Sequence, residues 1–161
     1  MIRTILTGIF AIILQALCAQ TRGPFPVISD PDGTLSVKQG FVEVSFGSLY
    51  YEEIGEGEPL IFIHSHPFTH HLWDAQLHYF AANYRVIRYD LRGYGSSTSQ
   101  MEYIQFTHAE DLMHLMHALA IDKAHIVGVS TGGSIVADMI AWCPEKVSTA
   151  VIVNGYISKD K

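Results

Sequence analysis

Ser130 stands in Gly128-Val129-Ser130-Thr131-Gly132, a serine flanked by glycines at the spacing of a sharp turn. An apolar run (Ile126, Val127, Val129) leads into it, and a helix-like pattern follows at once. Strand, tight turn and helix around G-x-S-x-G form a nucleophile elbow, which strains the serine backbone and exposes its Oγ. Glycines at 128 and 132 suit that turn because strand and helix backbones must come close there. The N-terminus of the following helix aims free N–H groups at any oxyanion formed beside Ser130. A serine hydroxyl is a weak nucleophile at its free pKa, so the chemistry also needs a base and a site for negative charge.

The nine histidines offer other chemistry. His64-x-His66 with His70 and His71 has part of the H-x-H-x-D-H zinc pattern, but Phe68 stands where the aspartate is needed. His114 and His117, three apart with His108 nearby, share a helix face and could in principle hold a metal. Partly exposed helix positions account for them more simply. No metal and no cofactor is expected.

The elements that position these residues alternate. Phe41–Phe46 and Leu49–Ile54 are short alternating runs joined at Gly47-Ser48, a predicted β-hairpin. Leu60–Ile63, Arg85–Tyr89, Ile126–Val129 and Thr149–Val153 read as strands, the first an apolar run suited to burial on both faces. Helices are predicted over His71–Ala82, Phe106–Ala120 and Gly132–Ala141, the second with Leu112, Leu115, Met116 and Leu119 on one face. Strands alternating with helices indicate right-handed βαβ units and a parallel sheet, an α/β fold.

The order of these motifs resembles the α/β-hydrolase superfamily over about residues 41–155. His64-Ser65-His66-Pro67, after the third strand, is similar to the family's H-G-x-P oxyanion segment. Tyr89-Asp90-Leu91-Arg92-Gly93-Tyr94-Gly95-Ser96-Ser97 is similar to the Y-D-x-R-G-x-G-x-S loop after strand four. Asp111 to Leu119, then Ala124–Gly128, resembles the helix leading into the nucleophile strand. The resemblance implies a mostly parallel sheet flanked by helices, ending after strand six. It implies Ser130 as nucleophile, with the N–H groups of Thr131 and His66 as the oxyanion hole. His64 and Ser65 would support the oxyanion loop, His64 by hydrogen bonding rather than as base. Ser65 departs from the family's glycine and adds a Cβ close to the reacting carbonyl. Asp90 and Arg92 are expected to fix the loop after strand four.

A serine rather than an aspartate at the elbow implies acyl-enzyme chemistry on an ester, lactone or similar small-molecule acyl substrate. The whole pattern is most similar to small esterases, enol-lactonases and non-haem haloperoxidases. The family order is nucleophile, acid, histidine. Here Glu145 and Asp160 are the acids in the chain end, and no histidine follows the elbow. Asn154 lies near an acid position, but an amide there favours the wrong imidazole tautomer. Glu145 reads as a solvated cap and Asp160 as part of a polar tail. The expectation is therefore the N-terminal part of a serine hydrolase, with acid and histidine outside these 161 residues. The alternative is a non-catalytic remnant or small-molecule binding module.

Composition sets further bounds. The net charge of −6, with no run of lysine or arginine, gives nucleic-acid binding no electrostatic support. Residues 1–19 read as a signal peptide: Arg3, then the mostly apolar Ile5–Leu17, then the small-residue site around Ala19. That implies a secreted or periplasmic protein with no stable membrane span after cleavage; an uncleaved anchor is the alternative. Leu17 is too bulky before Cys18 for a lipoprotein site, and Cys143 reads as a small core residue. Residues 20–40, broken by Pro24, Pro26 and Pro31, read as a linker or arm, and 41–161 as the partial domain. A sheet ending at strand six leaves an apolar edge open, so self-association is expected.

Overall fold

A computed structural model describes residues 36–100 and 105–156. The strands are β1 (Lys38–Val44), β2 (Gly47–Ile54), β3 (Glu58–Ile63), β4 (Tyr84–Tyr89), β5 (Thr98–Ser99), β6 (Ala124–Val129) and β7 (Val147–Val153). The helices are α1 (Asp74–Ala81), α2 (His108–Ala118) and α3 (Thr131–Trp142). One sheet runs β1-β2-β4-β3-β6-β7, with the short β5 paired to β2. β4, β3, β6 and β7 are mutually parallel, while β1 and β2 run antiparallel at the other side. This is the mostly parallel α/β architecture expected.

The alternation along each central strand sorts its side chains into two cores. Ile61, Ile63, Ile87, Tyr89 and Ile126 face one side, where Leu112, Leu115 and Met116 of α2 and Ile135, Val136 and Met139 of α3 cover them. Leu60, Phe62, Val86 and Val127 face the other, under Trp73, Leu77 and Phe80. The central strands are buried on both faces, which is why they read as continuous apolar runs.

Several boundaries differ from the sequence expectation, each for a local reason. β1 begins inside the expected arm, because residues 38–40 pair with Tyr51–Glu53. The hairpin turns at Ser45-Phe46 rather than Gly47-Ser48, with Phe46 in a left-handed conformation at φ 61°. The helix expected over 71–82 is a 3₁₀ turn (His70–Trp73) followed by α1. α2 starts later than its apolar pattern, where Thr107 and Glu110 form a reciprocal capping box. The final strand begins at Val147, two residues early. The expected leader at 1–19, most of the expected arm and Asp160 lie outside the described residues. Among the described residues no helix is long and apolar enough to cross a membrane.

Candidate active site

β6 delivers Ser130 to the end of the sheet. Ser130 has φ 52° and ψ −113°, a conformation that disfavours a side chain, and α3 begins at the next residue. The Ser130 N–H donates to the Val153 carbonyl at 2.8 Å, so β7 holds the turn from one side. A Cβ on Gly128 would collide with the Gly132 carbonyl; one on Gly132 would collide with the Ile63 carbonyl and lie 2.8 Å from that of His64. The elbow is thus pressed against the start of the 64–70 segment. Ser130 is exposed, and the Thr131 N–H is one of the first-turn donors that a helix leaves without an internal partner.

The 64–70 segment leaves β3 beside this turn. His64 is fully buried. Its Nδ1 lies 3.0 Å from the Ser65 carbonyl, and its Nε2 lies 2.9 Å from the Leu91 N–H. A carbonyl only accepts and an amide N–H only donates, so the ring is neutral with its proton on Nδ1. Burial holds its pKa below the ordinary histidine value, in keeping with a neutral ring. Ser65 is buried, with an ordinary backbone φ, and its carbonyl also accepts from the Phe68 N–H at 2.8 Å. His66 is exposed, precedes a cis peptide bond to Pro67, and shares a 2.6 Å hydrogen bond between Nδ1 and the Tyr94 hydroxyl.

Asp90, fully buried at the end of β4, is the junction beneath this layer. Its Oδ1 accepts from the His70 N–H at 2.7 Å and faces His70 Nδ1 at 2.8 Å; its Oδ2 accepts from the Ser96 N–H at 2.8 Å. Ser97 donates its hydroxyl to the Asp90 carbonyl at 2.7 Å. Below lies Glu52, bound by Arg88 Nε and a terminal guanidinium nitrogen at 2.8 and 2.6 Å, with Arg88 also paired to Asp74. Burial opposes ionisation of Glu52, but Arg88 and the Tyr50 hydroxyl outweigh it and its pKa falls. Burial and the neighbouring Glu52 push the Tyr50 hydroxyl up to about 12, so it remains a donor. Arg92 turns away from the site and forks onto Asp111 of α2 at 2.6 and 2.9 Å.

These contacts give four of the histidines read as metal candidates, His64, His66, His70 and His71, partners of their own. His64 holds Leu91, His70 holds Asp90, His71 pairs with Asp74 at 3.2 Å, and His114 and His117 are exposed on α2. Among the described residues no group of three or more His, Cys, Asp or Glu side chains is placed to hold a metal ion. Cys143 is half-buried and packs against the core beside Met113. Sequence reasoning missed the roles of His70 and of the Tyr94 hydroxyl. Tyr94 carried one signal, its place between Gly93 and Gly95.

A family model described as the alpha/beta hydrolase fold matches residues 58–161, most of the described sheet and the whole elbow. The chain belongs to the α/β-hydrolase family. Among curated α/β-hydrolase relatives it is 36% identical over 122 residues to the non-heme chloroperoxidase of Streptomyces lividans, covering 72% of this chain and 44% of that protein. It is 32% identical over 109 residues to the (E)-2-((N-methylformamido)methylene)succinate hydrolase of Acinetobacter baylyi, covering 67% of this chain and 41% of that one. Among solved structures, a hydrolase from Pseudomonas aeruginosa superposes with a TM-score of 0.67 at 31% identity, over 80% of this chain and 49% of that one. The chain spans less than half the length of each of these three relatives.

Proposed function

We propose that this chain carries the nucleophile half of a serine hydrolase acting on an ester, lactone or similar acyl substrate. The observation that carries the reading is the left-handed backbone of Ser130 at the junction of β6 and α3. A fold does not hold a side chain in that conformation without support from the packing around it. Ser130 Oγ attacks the acyl carbon and passes its proton to a histidine base. The N–H groups of Thr131 and His66 bind the oxyanion, each such donor worth about 3 kcal/mol of transition-state stabilisation. The leaving alcohol takes the proton from that histidine, and water then releases the acid from the acyl-enzyme. In the family order the acid and histidine follow the nucleophile, so they belong to chain beyond these 161 residues. The leader-like residues 1–19 support a site of action outside the cytoplasm.

A second reading, a small-molecule binding module without turnover, is favoured by one observation. His64, the buried histidine beside the elbow, has both ring nitrogens engaged. Labelling of the native protein from its source with a fluorophosphonate, followed by intact mass and peptide mapping, separates the two. The hydrolase reading expects a protein longer than 161 residues, labelled on Ser130, with label and ester turnover both lost in Ser130→Ala. A native chain of no more than 161 residues that takes no label would establish the binding module instead.

A further inference from the structure

The oxyanion segment is tied to the loop after β4 at three points, and each tie uses a histidine of the segment. Two are buried: His64 Nε2 on the Leu91 N–H, and His70 on Asp90 Oδ1. The third lies between them in sequence and is exposed: His66 Nδ1 on the Tyr94 hydroxyl. His66 is also the residue whose amide the proposed reaction uses, so its side-chain tether bears directly on where that amide points.

Tyr94 is presented rigidly. Gly93 and Gly95 on either side have φ 78° and 52°, so the loop doubles back on both flanks of the tyrosine. The Tyr94 N–H donates to the Leu91 carbonyl and the Ser97 N–H donates to the Tyr94 carbonyl, both at 2.9 Å. Asp90 Oδ2 captures the Ser96 N–H one residue beyond Gly95. The ring then sits edge-on to both His64 and His66, with centroids 5.5 Å away in each case. One side chain on a pinned loop therefore contacts both histidines that bracket Ser65, the position where the family pattern has glycine.

We propose that Tyr94 is a positioning residue for the oxyanion hole, acting through the His66 imidazole to fix the direction of the His66 N–H. The proposal rests on the hydrolase reading for its catalytic consequence, but the tether itself does not. Tyr94→Phe removes the hydroxyl and keeps the ring packing. The test is made on the protein purified from its source, with the substitution in the chromosomal gene and Ser130→Ala beside it. Hydrogen exchange resolved by peptide is expected to quicken about fivefold over residues 64–69, the size of one lost hydrogen bond. Exchange over residues 124–133 should not move, nor should the melting temperature by more than a degree or two. With p-nitrophenyl acetate, kcat is expected to fall about tenfold or more with KM nearly unchanged, the signature of a transition-state contact.

Unchanged exchange over 64–69 overturns the tether whatever the activity. Faster exchange with kcat intact overturns the positioning role. Turnover undiminished in Ser130→Ala overturns the hydrolase reading alone, and the exchange result then decides whether Tyr94 orders the segment.

Discussion

At the scale of single residues, His64 and Gly132 show how narrowly the site is specified. His64 bridges two loops only while neutral, because protonation of Nε2 would set a donor against the Leu91 N–H. Burial lowers its pKa in the folded chain, and burial lowers that of His108 as well. As pH falls below about 6.5, the unfolded chain takes up these protons before the folded one does. Stability is therefore full above that pH and declines below it, until the folded histidines protonate too. Urea titrations at about pH 7.5 and about pH 5.5 should show the lower stability at the acid value, with a shallower decline in His64→Gln. Equal midpoints would sink this account. Gly132 is the other extreme, since backbone carbonyls surround the space that a methyl would need. Gly132→Ala should cost about 1–3 kcal/mol through overpacking, read from urea denaturation.

At the scale of elements, the loop after β4 is joined to α2 by the buried pair of Arg92 and Asp111. Both side chains are almost inaccessible, so Asp111→Asn would leave a guanidinium buried without its counter-ion. The expected loss is about 3–5 kcal/mol in a denaturation experiment. A loss under about 1 kcal/mol would mean that water reaches Arg92. The elements themselves were legible in the sequence, because central strands and amphipathic helices carry periodicities that burial imposes. Their ends were less so: residues 38–40 become strand only by pairing with β2, and the first turn at 70–73 tightens where His70 must reach Asp90. Ser130, the segment after β3 and the loop at 89–97 were each visible as motifs. The contacts between them were not, since the tie from His66 to Tyr94 joins residues 28 apart and leaves no local pattern.

At the scale of the whole molecule, β7 is the outermost parallel strand of the described sheet, and every residue along it is half-exposed. Val151 and Val153 pack toward one core and Ala150 and Ile152 toward the other, so both faces are apolar and only partly covered. A strand of that kind offers a row of unpaired backbone groups to another chain. The 161-residue polypeptide, made as such, is expected to self-associate. Light scattering should give a mass above that of one chain, and a monodisperse monomer with a cooperative melt would contradict this. The same strand also reaches into the elbow, where its Val153 carbonyl takes the Ser130 N–H. That link sets an order in time. While the polypeptide is being synthesised, Ser130 emerges before Val153, so the turn stays unlatched until β7 has been made and docked. The geometry of the turn is thus acquired only after β7 has formed, and a chain released before Val153 would carry the serine without its catch.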